Sequence, residues 1–304
     1  MNANVLAVIV LYNPNIIILD ALIKSIIDQV EYLCVVDNSP SPAEYSVNQL
    51  LKEHIHKSIY LPFHDNLGIA TAQNKGIKWA KDNGFTHVLL LDQDSLLPPN
   101  MVSELLSDEN KLVRIGYKVA AIGPSFIDQK TNETTSAVET GFLRTKKKTV
   151  SSENTLPVKS DYIIASGSLI RISTLDTLGG MREELFIDWV DIEWGERCHN
   201  AGYFSFISRN VIMQHSIGDE HINILGKIIY LHSDFRNYFI VRNAVYLSKD
   251  PSIRWKLRCS MFLKTPYYIT LFSLLSKKKI YSFRLLLRAV MDGLRNKMGK
   301  GYFK

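Results

Sequence analysis

Two aspartates one residue apart, Asp92 and Asp94, follow directly on an unbroken apolar run in HVLLLDQDSLL. Carboxylates this close repel unless something positive lies between them or each caps a separate backbone group. A divalent cation carrying a phosphate meets the first condition, and an Asx turn into the helix opened by PPNMVSELL meets the second. A second acidic set lies in FIDWVDIEWGER, where Asp188, Asp191 and Glu193 compete for the work of a general base. Asp188 and Asp191 are three positions apart. That spacing puts them on one helical face, or makes Asp188 an N-cap with Asp191 in the first turn. Glu193 points elsewhere on such a helix, toward a ligand on that side or toward Arg197 four residues on. A capping box with no chemistry fits the same spacing.

The elements that must hold these acids are legible in the first half of the chain. VLAVIVLY, YLCVVD, SIYLPF and HVLLLD read as strands, with NIIILDALIKSIID and IATAQNKGIKWAKDNG as helices between them. That order predicts βαβ units, right-handed crossovers and a mainly parallel sheet, an α/β fold. Ligands of such sheets sit at the carboxyl ends of the strands. VVDNSP therefore brings Asp37 and Asn38 to the same edge as Asp92, where they can accept from ribose hydroxyls or pair with a base edge. NLGIATAQNKGI sets a turn of Asn66 and Gly68 at the start of a helix, whose free N–H groups attract an anion, with Asn74 and Lys75 on that helix. A purely structural turn reads the same way. GxxxxGK[ST] is absent, and no GxGxxG follows the first strand, which argues against P-loop nucleotide triphosphatases and dehydrogenases. DFRNYFIVRNAV carries Arg236 and Arg242, either to clamp a phosphate or to pair with a carboxylate and hold a helix. His215, after the apolar run in VIMQH, reads on its own as a turn residue or core partner.

Residues 128–155 are rich in Thr, Ser and Lys and read as a long excursion or hairpin, a lid or a plain solvated insertion. The apolar pattern returns as a strand in YIIASGSLIRI. At 304 residues and 46% hydrophobic, the composition is that of a globular protein with one large core and an appendage. MNANVLAVIVLYNP lacks a basic leader and a cleavage site, so a cytoplasmic location is expected. Cys34, Cys198 and Cys259 are far apart and read as buried thiols.

The net charge of +6 conceals an asymmetry: thirteen of the 36 Lys and Arg residues lie beyond residue 250, against one acid there, Asp292. We divide the chain into a body, residues 1–250, and a basic amphipathic helical extension, residues 251–304. Large apolar blocks alternate with the extension's cations, which favours an anionic membrane surface over nucleic acid. Phe262, Tyr267, Leu271 and Phe272 are the expected apolar contacts, and the alternative is a tail packed on the body. Lys264 and Pro266 interrupt the longest block, so lying on a membrane is expected rather than crossing it. Removal of the extension is expected to spare nucleotide binding at the sheet edge.

Taken together, VVDNSP, NLGIATAQNKGI, LLLDQDS, SGSLIRISTLDTLGG and LFIDWVDIEWGER resemble, in order and spacing, the family 2 glycosyltransferases of the GT-A fold. The resemblance covers roughly residues 5–245 and is strongest to bacterial rhamnosyltransferases that use dTDP-L-rhamnose in O-antigen and related polysaccharide synthesis. It implies an inverting, metal-dependent transferase with a Rossmann-like sheet and Asp92-Gln93-Asp94 as a DxD motif. Asp94 would hold Mg²⁺ or Mn²⁺, Asp92 the metal or the ribose, and His215 would complete the metal site. Tyr12 joins Asp37, Asn38, Asn66, Gly68, Asn74, Lys75 and Asp92 on the donor side, while Trp189, Glu193 and Arg242 fall near acceptor or phosphate. The pattern matches Asp191 to the base, with Asp188 next. The implied acceptor is a polyprenyl-diphosphate-linked saccharide at the inner membrane face. A family member using another donor such as UDP-galactofuranose, a nucleotidyltransferase, and an inactive membrane scaffold are the competing readings. The scaffold would be expected to lose one of these acids, and all are present.

Overall fold

The computed structural model describes residues 3–128, 136–141, 146–150, 156–215, 221–224, 227–230 and 232–303. The first half runs β1 (Val5–Leu11), α1 (Ile16–Ile26), β2 (Tyr32–Asp37), α2 (Glu44–Leu51), β3 (Ser58–Pro62), α3 (Ile69–Asp82), β4 (His87–Asp92) and α4 (Met101–Arg114). Next come β5 (Val119–Asp128), β6 (Ser136–Glu139), β7 (Lys146–Thr149), β8 (Val158–Ser160), β9 (Ser168–Arg171), α5 (Ile172–Leu178), α6 (Val190–Asn200) and β10 (Phe204–His215). The remainder is β11 (His221–Ile224), β12 (Lys227–Tyr230), α7 (Asp234–Ser248), α8 (Trp255–Leu275) and α9 (Lys279–Leu294).

Eight strands form the central sheet in the order β3-β2-β1-β4-β9-β5-β10-β8. The pairs β3–β2, β2–β1, β1–β4 and β5–β10 are parallel, whereas β9 runs antiparallel to β4 and β5, and β8 antiparallel to β10. The predicted mainly parallel α/β sheet is thus present. Every residue of β1 is buried, because helices cover both faces and the strand's alternation serves two cores. Val5, Ala7, Ile9 and Leu11 pack with α1 and α4, while Leu6, Val8 and Val10 pack with α3, α5 and α6. A Cβ at Gly76 of α3 would sit 2.3 Å from Val8 Cγ1, so that helix approaches β1 closer than any larger residue allows.

The strand expected across YIIASGSLIRI is shorter than its apolar pattern suggests. Gly167 adopts φ +77°, the Ser168 N–H donates to Ala165 O, and Ser168 Oγ donates to Ile164 O, so the chain bends before β9 begins. Within the excursion, β6 pairs with β7, and Ser160 and Asp161 fasten β6 through bonds to Val138 and Thr140. Much of the remaining excursion lies outside the described residues.

Beyond residue 250 the chain forms two helices that pack on α7. Tyr238, Phe239 and Val241 meet Phe272, Leu285, Leu286 and Ala289 in one apolar cluster. α8 continues through Pro266 for 21 residues, and Thr265 and Thr270 return their hydroxyls to the Met261 and Pro266 carbonyls around it. Among the described residues no helix is long and apolar enough to cross a membrane. Phe262 and Tyr267 are exposed as expected, but Phe272 is buried and Leu271 packs against the same cluster, so those two serve the core. The residues after α9 reach back to the body: the Gly299 N–H donates to Glu184 O, and Lys300 pairs with Asp65 at 2.6 Å. Asp65 opens the turn that carries Asn66 and Gly68. The extension therefore touches that edge of the body through its last residues.

Candidate active site

The carboxyl edge of the sheet gathers most of the predicted residues. Asp37, at the end of β2, is fully buried; Oδ1 accepts from the Ser39 N–H and Oδ2 from the Tyr60 hydroxyl at 2.7 Å. It braces the turn from beneath rather than facing the cleft. Asn38 bridges outward, its Nδ2 donating to Asn66 Oδ1 and its Oδ1 accepting from the Leu67 N–H. Asn66 Oδ1 in turn accepts from the Gly68 N–H at 3.1 Å, which sets the start of α3. Tyr12 follows β1 with its side chain exposed, and its backbone exchanges two bonds with Gln93, the middle residue of the acidic pair. Lys75 is exposed on α3, whereas Asn74 is committed within the protein to both backbone groups of Met181 and to Glu183.

Gly68 joins this edge to the second acidic segment. At φ +92° it occupies backbone space that side-chain-bearing residues avoid, and a Cβ there would lie 2.6 Å from Phe186 O. The next residue, Ile69, donates its N–H to that same carbonyl at 2.8 Å. We expect Gly68→Ala to lower the melting temperature by several degrees and to reduce turnover, because both the strain and the contact fall on the loop before α6. A thermal melt with steady-state kinetics checks this; wild-type values in both would break the proposed link.

The loop itself is held in costly geometry. Phe186, Asp188 and Trp189 all have positive φ, at 68°, 62° and 68°. Bulky residues persist there only where their surroundings over-determine them. α7 supplies that grip: Asn243 Nδ2 donates to the carbonyls of Leu185, Ile187 and Asp188, and Ile240 O accepts from Trp189 Nε1. Arg242 is fully buried over the Phe239 ring and donates to the carbonyls of Leu185 and Gly299. It is a clamp on the loop, which corrects its reading as a contact for acceptor or phosphate. Glu193 is likewise buried and bound to Arg197 and Arg182, so it serves structure, and Trp189 spends its indole N–H on α7. The capping box that fits the same spacing does not form. Trp189 occupies the N-cap without a side-chain bond, and Asp188 instead pairs with Arg236 at 2.7 Å.

What remains is an acidic cleft. Asp191 lies in the first turn of α6, with Oδ1 accepting from the Ile192 N–H at 2.8 Å. Burial pushes its carboxyl up to about 6, and the charges of Asp92 and Asp188 push the same way. Asp92 is also pushed up to about 6 by burial and by Asp94, with Arg236 opposing. Asp191 thus feels the charge of Asp92 from the other acidic segment, in which Asp94 is exposed. Asp188 Oδ2 is buried with no hydrogen-bond partner, a further negative site awaiting a positive charge or a donor. Hard oxygen donors in excess of cations suit a divalent ion such as Mg²⁺ or Mn²⁺. Among the described residues no three His, Cys, Asp or Glu side chains form a metal cage. The backbone of His215 ends β10 opposite Asp128, and its side chain lies outside the described residues. Gln93, Arg236 and Asn243 complete the site. Arg236 was visible as a charged residue in DFRNYF, but the partners of Gln93 and Asn243 are backbone atoms that leave no trace in sequence.

Residues 7–179 match the family described as glycosyl transferase family 2. The whole chain aligns with the dTDP-rhamnosyl transferase RfbF of Shigella flexneri at 33% identity, covering 99% of that protein. Solved structures share the architecture at low identity. TarS 1-349 of S. aureus in complex with UDP-GlcNAc superposes with a TM-score of 0.58 at 12% identity, over 95% of this chain and 81% of that one. GalNAc-T7 with UDP, GalNAc and Mn²⁺ gives 0.56 at 14% identity over 90% of this chain, which spans 57% of that larger one. These likenesses carry the fold, a mainly parallel sheet of the kind seen in GT-A glycosyltransferases. With a matched region beyond half its length and a full-length relative at this identity, the chain belongs to glycosyl transferase family 2 and is a glycosyltransferase.

Proposed function

We propose that the protein is an inverting rhamnosyltransferase that moves rhamnose from dTDP-L-rhamnose to a polyprenyl-diphosphate-linked saccharide in cell-surface polysaccharide synthesis. The observation that supports it best is the convergence of the two acidic segments at the sheet edge, where the charge of Asp92 helps to raise the Asp191 pKa from a different element. The dTDP-rhamnosyl relative, alignable end to end, supports the donor. On this reading the nucleotide lies along Tyr12, the Asn38–Asn66 turn, Gly68 and Lys75, with Asp37 bracing the turn from below.

Asp92 and Asp94 would hold Mg²⁺ or Mn²⁺, His215 being the third candidate, and the bound ion supplies positive charge for the diphosphate leaving group. The chain's own residues perform the transfer. A carboxylate oxygen of Asp191 takes the proton of the acceptor hydroxyl as the oxygen of that hydroxyl bonds to the anomeric carbon. The bond from the anomeric carbon to the diphosphate breaks with its electron pair, and dTDP departs. Arg236 holds Asp188 against the loop and places positive charge near Asp92. Ile192 orients the base through its N–H. The acceptor's lipid places the enzyme on the cytoplasmic face of the membrane, where the basic extension meets anionic headgroups.

Incubation with Mg²⁺ and a panel of nucleotide sugars tests the donor. Slow hydrolysis of dTDP-L-rhamnose above all others is expected, and preference for UDP-galactofuranose or UDP-GlcNAc would refute it.

A further inference from the structure

α9 presents two faces of opposite character. Its inward residues, including Leu285, Leu286 and Ala289, are buried in the cluster shared with α7 and α8. Outward, Ile280, Phe283, Leu287, Met291 and Leu294 recur every three or four positions, a stripe between 43% and 72% exposed. Beside the stripe, Arg284, Arg288, Arg295 and Lys297 line a groove of about 730 Å³ with Tyr281 and Tyr302. Arg288 stacks over the Tyr302 ring at 4.8 Å. The carboxylate in this groove, Asp292, is buried and accepts the Tyr238 hydroxyl at 2.6 Å. It is also the one acidic residue beyond residue 250, so the outward surface of both tail helices carries cations without exposed acidic side chains.

We propose that α9 lies in the headgroup plane of an anionic bilayer, its stripe among the acyl chains and its groove around the phosphate of an anionic phospholipid. This deepens the membrane-facing part of the function above and names the residues responsible; it does not depend on which sugar is transferred. Charge selects the occupant. A second copy would set two cationic rows against each other, and nucleic acid offers nothing to the apolar stripe, whereas an anionic membrane satisfies both features at once. The helix is about 24 Å long at 1.5 Å per residue, enough to lie along a surface and too short to span one. The residues that follow α9 bond to Asp65 and Glu184, so this helix is tied directly to the nucleotide turn and the loop before α6.

The test is sedimentation of the full-length protein with vesicles of phosphatidylglycerol and phosphatidylcholine, against vesicles of phosphatidylcholine alone. Binding to the anionic vesicles at low salt is expected to weaken as salt rises. Arg284→Glu with Arg288→Glu should lower it by at least about tenfold, since each cation near such a surface is worth roughly fivefold. Leu287→Ser with Met291→Ser should lower it comparably, while Lys24→Glu on α1 should leave it unchanged. Circular dichroism melts and donor hydrolysis in solution establish that each variant is folded. Failure of wild-type protein to bind anionic vesicles overturns the proposal, as do equal binding to phosphatidylcholine, dimerisation abolished by Leu287→Ser, or binding of inorganic diphosphate in the groove without vesicle binding. Vesicle binding without any donor hydrolysis would leave this surface standing and refute the catalytic reading alone.

Discussion

Asp191→Asn is expected to lower turnover by about 10²–10⁴-fold while affinity for dTDP stays near that of the wild type. The amide retains an oxygen to accept from the Ile192 N–H, so the start of α6 keeps its shape, but the side chain no longer takes a proton. In the wild type, turnover should rise as pH increases through about 6, because burial and neighbouring acids hold the carboxyl protonated up to there. Stability should move the opposite way. A carboxyl raised in the folded state from about 4 to about 6 binds more protons folded than unfolded in that interval, so the fold loses stability as pH rises across it. Asp191→Asn should therefore be slower yet more resistant to heat at pH 8, the pattern of a site that gives up stability for function. Asp188→Asn should act differently, by loosening Arg236. Full activity in Asp191→Asn with loss in Asp188→Asn would move the base to Asp188.

Asp94→Ala is expected to abolish the help that Mg²⁺ gives to dTDP binding. Groups that merely orient a metal ligand change affinity by 10–100-fold, and direct ligands by more, so a fall of at least about 10²-fold is expected by calorimetry in Mg²⁺. Under chelation the order should reverse. Asp94 adds to the negative potential on Asp92, so its removal lowers the Asp92 pKa and lessens repulsion of the diphosphate. Variant and wild type should then bind weakly, the variant slightly better. Undiminished dTDP binding by wild-type protein in chelator would exclude a metal role for the pair.

Much of this site was legible before any coordinates. The run before Asp92 read as a buried strand, and βαβ alternation placed Asp37, Asn38 and Asn66 on its edge. Other features were not legible because backbone atoms make them. Arg242 read as a charged group fit for a phosphate, yet it and the neighbouring Asn243 bond to the carbonyls of Leu185, Ile187, Asp188 and Gly299. A carbonyl is present at every position, so sequence does not distinguish an arginine that holds a loop from one that holds a phosphate. The antiparallel course of β9 was hidden for a related reason. Its direction follows from a bend at Gly167 and Ser168 inside an apolar stretch that patterns as one strand. Tail residues that looked alike also separated on folding, with Phe272 packed inward and Phe262 left outside by its place on the helix.

The central claim is that this cleft transfers rhamnose to a lipid-linked acceptor with Asp191 as base. It is tested most directly by incubating the enzyme with radiolabelled dTDP-L-rhamnose, Mg²⁺ and a polyprenyl-diphosphate-linked saccharide, and following label into the solvent-extracted lipid. The account predicts Mg²⁺-dependent labelling, lost in Asp191→Asn, with the new linkage of anomeric configuration opposite to the donor. Labelling that survives in Asp191→Asn, or a product that retains the donor's configuration, would contradict it.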